Sequence, residues 1–192
     1  MSRAIGINPS PAYYANLAEV WRALGQPDRA VGCCRTALAL SPAYPEAVNH
    51  LGLALMQQGK LAQAIEQFQA VLRVRPDFAV AHSNLANALR AQGEVDSAIV
   101  HYRKAIACDP NLASAHDSLG QLLCECQELP QALEHCRKAV ELRPGFAAAH
   151  CNLGNVLSRM GKLDDARRHY VEALRLDPRA DASNSTLFFA VP

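Results

Sequence analysis

The sequence predicts an all-α chain of stacked helical hairpins, and two observations support that prediction. A leucine followed by a small residue recurs every 34 residues, and a proline recurs with the same period. The chain is rich in alanine and leucine, and its aromatic share is only 6%. This composition suits helices packed at short distance better than a β-sheet core, which needs more β-branched and aromatic residues.

The period runs without insertion or deletion through five copies. The leucines that mark it are Leu17, Leu51, Leu85, Leu119 and Leu153. Alanines with the same spacing are Ala30, Ala64, Ala98, Ala132 and Ala166. The prolines are Pro42, Pro76, Pro110, Pro144 and Pro178. A strict period of this length is typical of repeat proteins, in which each unit packs only against its neighbours.

Each copy contains two helical segments separated by a short break. The first segment follows the proline and has apolar residues at helical spacing, such as Leu51, Leu55 and Met56. The break carries a glycine in four of the five copies, and the fourth copy has Gln127 instead. Glycine ends a helix readily because it adopts left-handed backbone conformations at low cost. The second segment ends at the next proline, and Pro130 starts one of them, where its missing N–H costs nothing.

The order of residues within a copy resembles the tetratricopeptide repeat. In the third copy the matching residues are Leu85, Ala86, Leu89, Ala98, Tyr102, Ala105 and Pro110. The copies depart from the pattern at the aromatic position, which is Cys34 in the first copy and Cys136 in the fourth. The resemblance implies a right-handed superhelical solenoid of five hairpins whose first helices line a concave groove.

The same register predicts how the chain is divided. Five repeats are expected, with partial repeats at both ends. The segments are 1–10 (tail of a preceding repeat), 11–44, 45–78, 79–112, 113–146, 147–180 and 181–192 (truncated or capping helix). The last segment contains Leu187, Phe188 and Phe189, and two interpretations of it stay open: a hydrophobic cap that folds onto the fifth repeat, or the start of a longer chain.

Three stretches resemble one group of such arrays in particular. "AHSNLANAL" (81–89) and "FAAAHCNLGNVL" (146–157) are similar to the repeats of O-linked N-acetylglucosamine transferases, and "ASNSTLFFAV" (182–191) is similar to the join between repeats and catalytic region in bacterial relatives. The residues present hold no glycosyltransferase domain, so the resemblance implies a substrate-recognition role and no catalytic residue.

Two columns of side chains are expected to face the groove, one residue before each leucine and two residues after it. They are Asn16, Glu19, His50, Leu53, Asn84, Asn87, Ser118, Gln121, Asn152 and Asn155. A carboxamide offers both donors and an acceptor, as a peptide backbone does, so a row of asparagines can hold an extended peptide. The resemblance to the transferase arrays implies such a ladder, although His50 and Ser118 interrupt it. The alternative is that each asparagine caps or bridges backbone within its own repeat, or was inherited by duplication without a role of its own.

Other classes of function find little support. The formal charge of +1 and the near-neutral pI of 7.6 do not favour nucleic-acid binding. No apolar run reaches the length of about 20 residues that spans a bilayer, and no secretory signal is visible. Seven cysteines without framework spacing indicate reduced thiols and a cytoplasmic protein.

No cofactor, metal or catalytic site is expected. The histidines fall into two columns, His82, His116 and His150 and then His101, His135 and His169, whose neighbours are too far apart to share a zinc ion. Cys124 and Cys126 lie two apart on a helix and point in different directions. The leading hypothesis is therefore a scaffold that binds an extended peptide of a partner protein. The alternatives are a non-catalytic segment of a glycosyltransferase and self-association through exposed terminal helices.

Overall fold

The computed structural model describes residues 10–178, and within that range the chain forms ten α-helices and no strand. They are α1 (Pro11–Ala23), α2 (Pro27–Leu40), α3 (Pro45–Gln57), α4 (Leu61–Val74), α5 (Ala79–Gln92), α6 (Val95–Cys108), α7 (Ala113–Glu125), α8 (Leu129–Leu142), α9 (Ala147–Arg159) and α10 (Leu163–Leu176). The prediction of an all-α chain of paired helices is confirmed. The expected partial repeats at 1–10 and 181–192 lie almost wholly outside the described residues.

The helices pack as successive hairpins within two compact units, and the chain divides between His101 and Tyr102. In the first unit α1 packs on α2, α3 packs on α4, and α2 and α4 each contact the first helix of the next repeat. In the second unit α7 packs on α8, α9 packs on α10, and α8 contacts α9. First helices also contact each other directly, α1 with α3 and α7 with α9. Within residues 10–178, no helix has the length and apolar character needed to cross a membrane.

The repeated small residues form the centre of each hairpin. The five periodic alanines are all at most 2% exposed: Ala30, Ala64, Ala98, Ala132 and Ala166. Cys34 and Cys136, which replace the aromatic residue of the repeat, are fully buried, and burial raises the pKa of each thiol to about 12. These two cysteines therefore behave as small apolar side chains.

A glycine after the periodic leucine allows the two helices of a hairpin to approach closely. A Cβ placed on Gly52 would lie 2.5 Å from the Phe68 ring. At Gly120 a Cβ would lie 2.5 Å from Sγ of Cys136, 3.0 Å from its backbone nitrogen and 3.2 Å from the carbonyl oxygen of Ala132. The contact at Gly120 involves backbone atoms, which cannot move aside as the end of a side chain can.

The turns between paired helices share one backbone conformation. The four turn glycines have φ values between 69° and 89°, and Gln127 has a φ of 67° at the equivalent place. For a residue with a Cβ this left-handed conformation costs about 1–2 kcal/mol. The fourth repeat therefore keeps the turn of the family pattern without its glycine and carries local strain.

We expect Gln127→Gly to stabilise the protein by about 1 kcal/mol, because relief of the left-handed strain exceeds the entropy that glycine adds to the unfolded chain. In a chain of this size the melting temperature should rise by about 2–4 °C. Calorimetry of the variant beside Gln127→Ala tests this result, since alanine retains the Cβ and should give no gain. An equal rise in both variants would show that the backbone strain is not its cause.

We expect Gly120→Ala to destabilise the protein by about 1–3 kcal/mol, because the added methyl group meets the backbone of α8. Gly145→Ala is the matched control, since a Cβ at Gly145 has no neighbour within 4 Å and its φ is not left-handed. Urea unfolding of both variants measures the difference. Equal stabilities would contradict the close approach of α7 and α8.

Candidate functional site

The ten predicted groove residues all lie on the first helices of the hairpins, α1, α3, α5, α7 and α9. Asn16 is exposed, and the other nine are half-buried. Half-buried polar side chains can be held in place by neighbours and still reach a ligand. The two compact units carry separate parts of this set, described in turn.

In the first unit, α1 and α3 are connected by charged side chains. Arg22 donates to Glu19 at 2.6 Å, and Nδ1 of His50 lies 3.1 Å from the other carboxylate oxygen of Glu19. The pKa of Glu19 is lowered, chiefly by the hydrogen bond from Arg22 and further by the charge of Arg22 and the proximity of the His50 ring, against a smaller opposing effect of burial. Glu19 and His50 thus form a cross-repeat pair where the predicted ladder has no asparagine on α3.

Between α3 and α5 the connection is a pair of carboxamides. Nδ2 of Asn84 donates to Oδ1 of Asn49 at 2.9 Å. Asn49 is 4% exposed, so the bond satisfies a polar group that has little access to water. Asn84 therefore joins its repeat to the preceding one through side chains.

In the second unit the equivalent connection joins α7 and α9. Nδ2 of Asn152 donates to Oδ1 of Asp117 at 2.8 Å. Asp117 is 7% exposed, and burial raises the pKa of its carboxyl, although the hydrogen bond from Asn152 and the charge of Arg143 act in the opposite direction. A carboxylate can only accept, so the orientation of the Asn152 amide is fixed.

Asn49 and Asp117 are not among the groove residues predicted from the sequence. Both occupy the position two residues before the periodic leucine, where the other three repeats have Ala15, Ser83 and Cys151. A large polar group at a position that is otherwise small was the available signal, and it indicates a side chain that needs a buried partner.

A cavity of about 500 Å³ lies beside these residues in the second unit. Its lining is Gln121, Cys124, Glu125, Asn152, Asn155, Ser158 and Arg159. Tyr170 donates its hydroxyl hydrogen to Oδ1 of Asn155 at 2.9 Å, and Arg159 donates to the backbone carbonyl of Cys124. The cavity thus brings together three of the predicted groove residues, Gln121, Asn152 and Asn155.

The histidines of the two columns meet in pairs, which column spacing alone did not predict. The pairs are His82 with His101, His116 with His135, and His150 with His169, each with 3.1 Å between the Nδ1 atoms. Among residues 10–178 no group of three or more His, Cys, Asp or Glu side chains could hold a metal ion. Cys124 is buried near the end of α7, whereas Cys126 lies one residue beyond that helix and is exposed, so the two cysteines do not share a helix as expected.

Paired helices, alanine-centred hairpins and a polar first-helix surface together define a helical-hairpin repeat protein. Models described as "Tetratricopeptide repeat" match residues 12–48, 49–113, 101–134 and 147–179, and a further model described as "TPR repeat" matches 120–161. The chain belongs to the tetratricopeptide repeat family.

Curated relatives share a part of the chain. The Small glutamine-rich tetratricopeptide repeat-containing protein 2 of Mycosarcoma maydis is 35% identical over 68 residues, which is 35% of this chain and 19% of that protein. The protein of the same name from Saccharomyces cerevisiae is 36% identical over 72 residues, which is 37% of this chain and 21% of that protein. The chain therefore aligns with about a fifth of the length of these relatives.

Solved structures share the fold over most of the chain. The MamA crystal structure has a TM-score of 0.68 at 26% identity and covers 85% of this chain and 95% of its own. TTC0263, a thermophilic TPR protein of Thermus thermophilus, has a TM-score of 0.77 at 23% identity and covers 88% of this chain and 93% of its own. These likenesses establish the fold, and the site has to be argued from the residues of this chain.

We expect Asp117→Asn to stabilise the protein at pH 7, because the folded state disfavours the ionised carboxyl and Asn49 shows that an amide fits the same position. The pKa of Asp117 is raised above its ordinary 3.8, so the cost of ionisation is absent below pH 3.8 and grows as pH rises through the folded value. The gain should be roughly 2–4 °C at pH 7 and should shrink toward pH 4.

Thermal unfolding across this pH range checks the prediction, with Asp77→Asn in the exposed loop before α5 as the control. A gain that is independent of pH would contradict the role of ionisation at Asp117.

Proposed function

We propose that the protein is an interaction scaffold whose first helices bind an extended peptide segment of a partner protein. One observation carries this proposal: half-buried carboxamides recur at the repeat spacing on the first helices, and Gln121, Asn152 and Asn155 line one cavity. The cavity's volume of about 500 Å³ is within the range of small ligand sites and suits a few residues of an extended chain.

The hydrogen bonds of the asparagines support this use of the surface. Asn152 uses one N–H on Asp117, and the inventory of a carboxamide leaves a second N–H and the oxygen for another partner. Tyr170 holds the oxygen of Asn155, which fixes the direction of its amide nitrogen. Side chains that are already held lose little entropy when a ligand arrives, so each new hydrogen bond adds more affinity.

The ligand that fits these groups is a main chain. A peptide backbone presents alternating N–H and C=O groups, and amides that both donate and accept can pair with either. Glu125 and Arg159 add one charge of each sign to the cavity lining, so its formal charges balance. We therefore infer recognition of backbone conformation, with side-chain preferences set by neighbouring apolar surface.

The comparisons bear on this proposal only through the fold. YrrB, described as a TPR protein with an unusual peptide-binding site, has a TM-score of 0.62 and covers 90% of this chain and 89% of its own. It shares 20% identity with this chain, so its likeness is one of architecture. The asparagine ladder implied by the transferase-like motifs is a more specific form of the same hypothesis.

Two alternatives keep a definite basis. The motifs at 81–89 and 146–157 favour a substrate-recognition segment of an O-linked N-acetylglucosamine transferase-like enzyme, which the gene sequence beyond codon 192 tests. Self-association through a terminal helix is favoured by α1, where Tyr13 and Val20 are 49% and 52% exposed, and by Leu24 directly after it, which is 61% exposed. Sedimentation that shows a monomer at high concentration would remove the second alternative.

We also propose that the protein works in the cytoplasm. All seven cysteines fall within residues 10–178 as free thiols, which suits a reducing compartment.

The test begins with selection of dodecapeptides from a displayed random library on the wild-type protein. A selected peptide should lose about tenfold in affinity with Asn155→Ala or Gln121→Ala, the loss expected when one or two hydrogen bonds are removed. Asn111→Ala, a matched substitution in the exposed loop before α7, should leave the affinity unchanged.

Isothermal titration calorimetry gives the affinities, and far-UV circular dichroism confirms that the variants remain helical. If no peptide is enriched, or if Asn155→Ala binds as well as the control, the proposed surface is wrong.

A further inference from the structure

The three histidine pairs share one hydrogen-bond arrangement that the peptide-binding proposal does not use. In each pair the histidine on the first helix also contacts the carbonyl oxygen of the preceding proline through Nε2. These distances are 2.9 Å for His82 to Pro76, 3.2 Å for His116 to Pro110 and 3.0 Å for His150 to Pro144. Each pair therefore connects the loop that enters the repeat, its first helix and its second helix.

The chemistry of the partners fixes where the hydrogens lie. A carbonyl oxygen only accepts, so Nε2 of His116 must carry a hydrogen. In the neutral ring Nδ1 of His116 is then the acceptor, and Nδ1 of His135 must donate to it. The same logic assigns His150 and His169. The tautomers of the neutral rings are thus set by the fold.

This arrangement tolerates one added proton per pair and not two. The first proton can bind Nε2 of His135, which leaves its Nδ1–H donating to His116 as before. A second proton would have to bind Nδ1 of His116, so that two N–H groups would face each other across 3.1 Å. That state has no hydrogen bond between the two rings and has two adjacent positive charges, so the pair must separate.

Co-occurrence along the sequence supports a joint role. The third, fourth and fifth repeats have histidine at both positions, 19 residues apart. The first and second repeats have it at neither, with Tyr14 and Cys33 in one and Val48 and Gln67 in the other. Both histidines are present or both are absent, which is the pattern expected if each functions through the other.

We propose that the pairs His116–His135 and His150–His169 make the first-helix surface sensitive to pH. In mild acid each pair separates, and this loosens the repeats that carry Asp117 and Asn152. His116 lies one residue before Asp117, and His150 lies two residues before Asn152, so each pair adjoins the bridge between these two side chains. The effect on peptide binding rests on the proposed function, whereas the separation of the pairs does not.

The charged groups around the pairs are mixed in sign. Lys138 and Glu134 on α8 and Arg103 on α6 act on the first pair, with the two cations opposing protonation and the carboxylate favouring it. Asp165 and Glu172 on α10 and Arg137 on α8 surround the second pair. Burial is the largest effect at His116, His135 and His169 and lowers the pKa of each, and the neighbouring histidine lowers those of His135 and His169 further.

The sign of the pH dependence follows. Because the folded state lowers these pKa values below 6.5, the stability they contribute is complete above pH 6.5 and is lost as pH falls through the folded values. Paired titrations appear as successive macroscopic steps, and the pair separates at the second of them.

The first arm of the test is ¹⁵N NMR of the imidazoles in the wild-type protein from pH 8 to pH 4.5. We expect an Nε2–H tautomer at His116 and His150, an Nδ1–H tautomer at His135 and His169, and two separated titration steps per pair. Independent titration of all four rings near 6.5, or the reverse tautomers, would overturn the proposal.

The second arm compares melting temperatures of the wild type and of the variant with His135→Gln and His169→Gln between pH 7.5 and pH 5. The wild type should lose about 5 °C or more over this range, and the double variant should lose less than half as much. Lys60→Gln, at an exposed residue in the turn before α4, is the control and should retain the wild-type loss. Equal losses in all three proteins would overturn the proposal.

The third arm measures the affinity of a selected peptide at pH 7.5 and pH 5. If the histidine pairs regulate binding, the affinity of the wild type should fall about tenfold at pH 5, and that of the double variant should fall less. If no peptide binds at pH 7.5 while the first two arms succeed, the proposed function fails and the acid-sensitive pairs stand. Binding that is the same at both pH values would overturn their regulatory role.

Discussion

The close approach of the two helices in each hairpin is the constraint on which the rest of the structure depends. At Gly120 the space that a single methyl group would need is already occupied by α8. The periodic alanines and Cys136 are also small and buried at this contact between helices. The interior of a hairpin is filled by these small residues and by apolar side chains such as Phe68, so the polar residues of the first helices lie on the side that faces a neighbouring first helix. Asn49, Asn84, Asp117 and Asn152 occupy that side, and the bridges between repeats follow from this placement.

Repetition explains why the fold could be predicted from the sequence in such detail. The leucine, alanine and proline series each gave the same period, and the helices begin and end where that period requires. Even the exception at Gln127 keeps the backbone of its glycine counterparts, because the ends of two packed helices hold the turn in place. Backbone conformation in a repeat array is thus determined by packing as much as by the residue at the turn.

The candidate site is harder to predict from the sequence than the fold. Its side chains bond to residues at other positions of the repeat, and the period relates only equivalent positions. Asn84 was singled out as a groove residue, whereas its partner Asn49 lies 35 residues earlier and belongs to a different column. Each paired histidine contacts a member of the other column, which the spacing within one column does not indicate. A periodic series shows which positions are equivalent, and only packing shows which positions touch.

The proline carbonyls that end the repeats have a consequence for mechanics. A proline ends each repeat, and in three joints a histidine of the following first helix contacts its carbonyl oxygen, whereas Val48 stands at the equivalent position in the joint between α2 and α3. A hydrogen bond depends on direction, so it opposes bending at the three joints that have one, whereas a valine side chain can form none at the fourth. The joints therefore differ in stiffness, and the more compliant one precedes α3, a first helix with no asparagine in either groove column.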